Sequence, residues 1–267
     1  MKALEIDPRF DLAHYNIAWN YLRQKPRNYV KAEKSFRKAL ALNPDYKEAF
    51  YGLAMTYGYQ NKYKIAHSYL SRAIEVDPLF LTAWKWRAIV NDEMRAYDKS
   101  LDDFSQAIKL DPANSNIYMR RARVFTKKKL YNEAMEDLLL AKSFNPKNPR
   151  ISFYLARIYR DLGQVDAALS TINKTIELKA KYADAYSLRA EIKASQGDFT
   201  NAYSDFQKAI ESTSYRKERF LNKRAAVYFN RKQFQEALAD YMKVTKLAPQ
   251  DASAWLGLTK IYVRLKM

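Results

Sequence analysis

Cysteine is absent from the 267 residues, which excludes disulfides, thiolate metal sites and a cysteine nucleophile. Histidine occurs twice, at His14 and His67, and the two are too far apart to act as a pair, so each reads as a surface or packing residue. Five glycines and eight prolines are too few for a disordered chain or a turn-rich β protein. No apolar run approaches the roughly 18 residues needed to span a bilayer, and no signal-peptide pattern opens the chain. HExxH, GxSxG, a phosphate-binding loop and a glycine-rich dinucleotide turn are all missing. The sequence therefore predicts no enzyme, no cofactor and no metal site. The compartment stays open, cytoplasmic by default.

Hydrophobic residues make up 48% of the chain and aromatics 14%, with 21 tyrosines. Formal net charge is +18, from 47 basic and 29 acidic side chains. Such an excess favours anionic partners, whether acidic peptides, phosphorylated segments, nucleic acid or an anionic membrane surface.

Proline gives the punctuation. Pro8, Pro44, Pro78, Pro112 and Pro146 stand 36, 34, 34 and 34 residues apart, the next two beats fall on Ala180 and Ser214, and Pro249 follows after 35. A fixed period of this length signals a solenoid. Within each period two short amphipathic helices are predicted. In one copy Phe50, Leu53, Ala54 and Tyr57 mark the first helix, and Ala66, Leu70 and Ala73 the second, with Pro78 closing the unit. Alanine allows close helix approach and the larger residues fill the space beside it.

On these residues the chain resembles the tetratricopeptide repeat (TPR) family over nearly its full length. The resemblance implies an all-α, right-handed solenoid of antiparallel helix pairs. Seven repeats are expected at 11–46, 47–80, 81–114, 115–148, 149–182, 183–216 and 217–251. A second-helix remnant is expected at 1–10 and the first helix of an eighth repeat at 252–267. Both ends stop within a unit, which predicts a piece of a longer protein. The last helix is expected to present Trp255, Leu258 and Tyr262 as an uncovered apolar face able to self-associate.

Two sets of basic residues separate. Arg87, Arg121, Arg189 and Arg224 each precede the packing alanine, and each is followed sixteen residues later by an aspartate: Asp103, Asp137, Asp205 and Asp240. These are expected to be structural ion pairs inside each unit, using the guanidinium fork. The other set lies in first-helix positions that the core leaves free. In proteins like this family those positions line an inner groove. They give an apolar stretch (Tyr15, Trp19, Tyr51, Met55, Tyr59) and then a peptide- and anion-binding stretch (Lys85, Trp86, Arg120, Arg123, Lys127, Arg150, Phe153, Tyr154, Arg157, Arg160). Residues 115–160 carry 11 basic and 3 acidic side chains. Asp184 and Glu191 read as an acidic break, followed by a second basic patch including Arg219 and Lys223.

Two specialised versions of the family do not fit. The Lys and Asn slots of a carboxylate clamp are not filled in any three consecutive units. An asparagine ladder would need Asn where Gly52, Trp86, Arg120, Tyr154, Leu188, Lys223 and Gly257 stand. The sequence thus predicts a protein-interaction scaffold that binds an acidic or extended peptide. RNA or single-stranded nucleic-acid binding is one alternative, and self-assembly through the open C-terminal helix is another.

Overall fold

The computed structural model describes residues 10–265. Nearly all of the remnant expected at 1–10 lies outside the described residues. Fifteen α-helices and no strand occur among the described residues. The chain divides into two compact units, one up to Asn145 and one from Pro146.

The first unit holds α1 (Asp11–Arg23), α2 (Tyr29–Leu42), α3 (Lys47–Gly58), α4 (Tyr63–Val76), α5 (Leu81–Glu93), α6 (Tyr97–Leu110), α7 (Ser115–Lys127) and α8 (Tyr131–Phe144). They pack as antiparallel pairs α1/α2, α3/α4, α5/α6 and α7/α8, and the second helix of each of the first three pairs packs on the first helix of the next. Ala18, Ala32, Ala39, Ala66, Ala73, Ala88, Ala107, Ala134 and Ala141 are almost wholly buried. Phe36, Leu70, Phe104 and Leu138 fill the same layer from the second helices.

The second unit repeats the plan with α9 (Pro149–Asp161), α10 (Val165–Leu178), α11 (Ala183–Ser195), α12 (Phe199–Glu211), α13 (Glu218–Asn230), α14 (Phe234–Leu247) and the unpaired α15 (Ala252–Leu265). Ala156, Ala168, Ala190, Ala202, Ala209, Ala225 and Ala237 lie at its contacts. In α15, Leu258 and Ile261 turn inward onto α13 and α14. This corrects the expected outer face at Leu258, which is core; Trp255 and Tyr262 are exposed as expected, together with Leu256 and Val263.

Six of the seven turns inside the pairs share one backbone device, the α1/α2 turn being the exception. Asn61, Arg95, Lys129, Gly163, Gly197 and Lys232 all have φ between 59° and 82°. In each case the amide of the next residue donates to the carbonyl five positions back, as in Lys62 to Tyr57 and Leu130 to Phe125, both at 3.0 Å. This is the bond that ends a helix in a Schellman motif, with the left-handed residue just beyond it. Only two of the six are glycine, so sequence alone shows the device at Gly163 and Gly197.

A second device fixes three of the turns between pairs. The indole N–H of Trp84 donates to the Pro78 carbonyl at 2.8 Å, Tyr118 Oη to Pro112 at 3.1 Å, and the indole of Trp255 to Pro249 at 2.9 Å. An aromatic residue in the first helix thereby satisfies the carbonyl of the closing proline.

Candidate functional site

The four Arg–Asp pairs are bidentate. Arg121 places Nε 2.8 Å from Asp137 Oδ2 and Nη2 2.7 Å from Oδ1. Arg87–Asp103, Arg189–Asp205 and Arg224–Asp240 have the same fork geometry, each with a closest approach of 2.7 Å. The aspartates are buried. Each Arg also uses Nη1 to reach the second helix of the preceding pair: Ser71 at 3.1 Å, Ser105 at 2.9 Å, Asn173 at 2.7 Å and Gln207 at 2.7 Å. Within-unit spacing does not predict this third bond. Its only sequence signal is a polar residue sixteen or seventeen positions before each Arg. Asp103 gains Asn91 Nδ2 at 2.9 Å, and Asp205 gains Lys193 Nζ at 2.8 Å. Burial pushes the Asp205 carboxyl up, but hydrogen bonds from Arg189 and Lys193 overcome this and hold it below 3.8. These Arg side chains brace the scaffold and are engaged.

In the second unit the first helices α9, α11 and α13 surround a groove of about 610 Å³. Burying Ile151, Leu155, Ala156 and Ile158 on the core side of α9 turns Arg150, Phe153, Tyr154, Arg157 and Arg160 towards it. Arg219 and Lys223 approach from α13, and Asp184 and Glu191 from α11. Lys179 and Tyr182 close the rim. Phe153 packs between Tyr154 and Tyr182, with ring centroids 5.5 and 5.3 Å away. Burial pushes the Tyr182 phenol up to about 12, with Asp184 adding to the effect, so it remains a hydrogen-bond donor at neutral pH.

The expected acidic break is part of this groove. Glu191 takes Arg160 Nη1 at 3.1 Å and Lys223 Nζ at 2.5 Å, and Asp184 takes Arg219 Nη2 at 2.7 Å. Arg160 also meets Asp161 at 2.7 Å. Two cations of the expected anion-binding stretch thus already have acidic partners: Arg160, and Lys127, whose Nζ lies 2.6 Å from Asp92 of the preceding pair. Arg150 and Arg157 meet no carboxylate at salt-bridge distance among the described residues; Arg157 lies over the Tyr154 ring at 6.0 Å. Six cations and two carboxylates line the groove, so it is net positive. Arg120 and Arg123 sit on α7 in the first unit, and both are engaged in contacts.

The expected apolar groove of the first unit divides. Tyr46, Tyr15, Trp19, Tyr51 and Trp86 form a chain of ring contacts with centroids 5.2–6.4 Å apart. All five are half-buried and pack against the core. Met55 is core rather than groove, because it is covered within the cluster that Tyr51 and Trp86 flank. Lys85 is half-buried on α5. Tyr59 is exposed and carries the Arg27 guanidinium 4.5 Å over its ring. His67 is half-buried, and burial, reinforced by Arg87, holds its pKa down. No described helix is long and apolar enough to cross a membrane.

Residues 51–114 and 92–149 match the family model described as tetratricopeptide repeat. Residues 150–254 match the model described as N-terminal acetyltransferase A, auxiliary subunit. The sequence matches no curated protein. Among solved structures, the chain is similar to a tetratricopeptide repeat protein from Parabacteroides merdae, with TM-score 0.79, 17% identity, and 94% of this chain and 98% of that one covered. It is similar to yeast Tom70, with TM-score 0.71, 22% identity, and 96% and 57% covered. It is also similar to a chain of the APC/C hetero-tetramer Cut9–Hcn1, with TM-score 0.69, 16% identity, and 97% and 51% covered. The chain thus spans little more than half of the last two. At these identities the likeness is one of fold.

Proposed function

We propose that this chain, a tetratricopeptide-repeat protein, is a non-catalytic scaffold that binds an acidic, extended peptide segment in the groove of its second unit. The observation that carries this reading is the pair Arg150 and Arg157, cations on α9 that face the groove and meet no carboxylate there. A guanidinium recognises carboxylates in bidentate fashion. Phe153, Tyr154 and Tyr182 supply the aromatic wall on which an anchor side chain packs. On the first unit, Lys85, Arg120, Arg123 and Lys127 add to the positive field that steers an acidic partner.

The test is fluorescence anisotropy with a labelled glutamate-rich peptide and, in parallel, labelled oligouridine. Wild type is expected to bind the peptide with affinity that falls steeply as salt rises. Arg150→Glu with Arg157→Glu should remove that binding while helicity is retained. Unchanged peptide binding in the double variant would overturn the reading, and preferential binding of oligouridine would transfer the groove to nucleic acid.

The match of residues 150–254 to an acetyltransferase auxiliary subunit favours a second reading, in which the unit from Pro146 supports a catalytic partner. N-terminal acetyltransferase activity co-purifying with the chain would establish it.

A further inference from the structure

The connection between α1 and α2, residues 24–28, is five residues long, where each connection within the α5/α6 to α13/α14 pairs has three. It builds a separate pocket of about 380 Å³. Trp19 and Leu22 form an apolar floor, and Arg23, Lys25, Arg27 and Tyr59 form the wall. The loop is pinned at both ends: the Gln24 amide donates to the Asn20 carbonyl at 3.2 Å and the Asn28 amide to the Tyr21 carbonyl at 3.0 Å. Asn28 Oδ1 then caps α2 by accepting from the Lys31 amide at 3.0 Å.

No carboxylate lines this pocket, and Arg23, Lys25 and Arg27 form no ion pair among the described residues. The groove of the second unit differs, since Glu191 and Asp184 already occupy three of its cations. The Arg27 guanidinium carbon lies over the Tyr59 ring, 4.5 Å from its centroid. A cation–π contact uses none of the guanidinium N–H donors in an ion pair, so they remain able to bond an anion. Three cations around one small volume repel each other, and one carboxylate would neutralise only one of them. A phosphate monoester brings nearly two charges and three acceptor oxygens.

We infer that this pocket is a second binding site, which takes a phosphate monoester on an apolar stem, the phosphate on Arg23, Lys25 and Arg27 and the stem on Trp19 and Leu22. The inference does not depend on the peptide groove.

The experiment is calorimetric titration of the full chain with phenyl phosphate, inorganic phosphate and benzoate. Phenyl phosphate is expected to bind about tenfold tighter than benzoate, which lacks the second charge, and tighter than inorganic phosphate, which lacks the stem. Lys25→Ala with Arg27→Ala should weaken phenyl phosphate by about tenfold or more, with helicity unchanged. Arg27→Lys should recover part of the loss, and Arg150→Glu with Arg157→Glu should have no effect. A phosphotyrosine peptide that binds tighter than phenyl phosphate identifies a protein-borne ligand, and the reverse order a free metabolite. Equal affinity for phenyl phosphate and benzoate, or an unchanged affinity in the Lys25/Arg27 variant, would overturn the site.

Discussion

Replacing Arg121 by leucine removes both fork bonds to Asp137 and the bond to Ser105. Asp137 is 3% exposed and has no other side-chain partner among the described residues, so the variant leaves a buried carboxylate uncompensated. Breaking one side of such a pair costs about 3–5 kcal/mol. Arg224→Leu should cost a similar amount, because among the described residues Arg224 alone bonds the Asp240 side chain. Arg87→Leu and Arg189→Leu should be milder by about 1.5–3 kcal/mol, the worth of a hydrogen bond to a charged group, because Asp103 keeps Asn91 and Asp205 keeps Lys193. Urea unfolding followed by circular dichroism gives these values. Hydrogen exchange locates the loss, since repeat arrays open locally. The double variant Arg121→Leu, Asp137→Leu should recover most of the stability, because an apolar pair of similar volume replaces the ion pair. The reasoning fails if Arg121→Leu stays within about 1 kcal/mol of wild type, or if all four arginine variants cost the same.

Lowering the pH tests the same pairs. Burial raises the Asp205 pKa, but hydrogen bonds from Arg189 and Lys193 outweigh it and hold the carboxyl below the usual aspartate range, so its contribution is complete above that range and is lost as pH falls through the lowered folded pKa; an acid titration of Lys193→Met should show unfolding at higher pH than wild type. Lys129→Gly should stabilise the chain by about 0.5–1 kcal/mol, because a left-handed φ of 61° strains any residue with a Cβ. Gly163→Ala should destabilise it by about 1–2 kcal/mol for the same reason; thermal melts read both. Gly52→Ala places a Cβ 2.2 Å from the Phe36 ring and should cost about 1–3 kcal/mol through overpacking, measured by urea unfolding.

The fold was legible because period and phase are properties of single residues: an alanine at a contact and a proline at a stop need no knowledge of neighbours. The Arg–Asp pairs were legible because both partners lie in one period. The groove was less so, since Glu191 meets Arg160 and Lys223 at separations of 31 and 32 residues, and that meeting depends on how adjacent pairs stack. An acidic residue read as an interruption is a counter-ion once stacking is known. Met55 was misplaced for a similar reason, since its cover comes from aromatic residues that one helix alone does not reveal. The left-handed turns at Arg95, Lys129 and Lys232 carry long cationic side chains, which give no turn signal.

The indole-to-proline bonds have an optical consequence. Four tryptophans occur in the chain, and Trp255 is the one that lies beyond Pro146. Its N–H is tied to the Pro249 carbonyl while more than half of its surface meets solvent. Changing Trp19, Trp84 and Trp86 to phenylalanine would leave a single tryptophan, in the first turn of α15 and bonded to the turn before it. Its spectrum would then report the docking of the last helix alone, and fraying at that end could be timed separately from the opening of the rest.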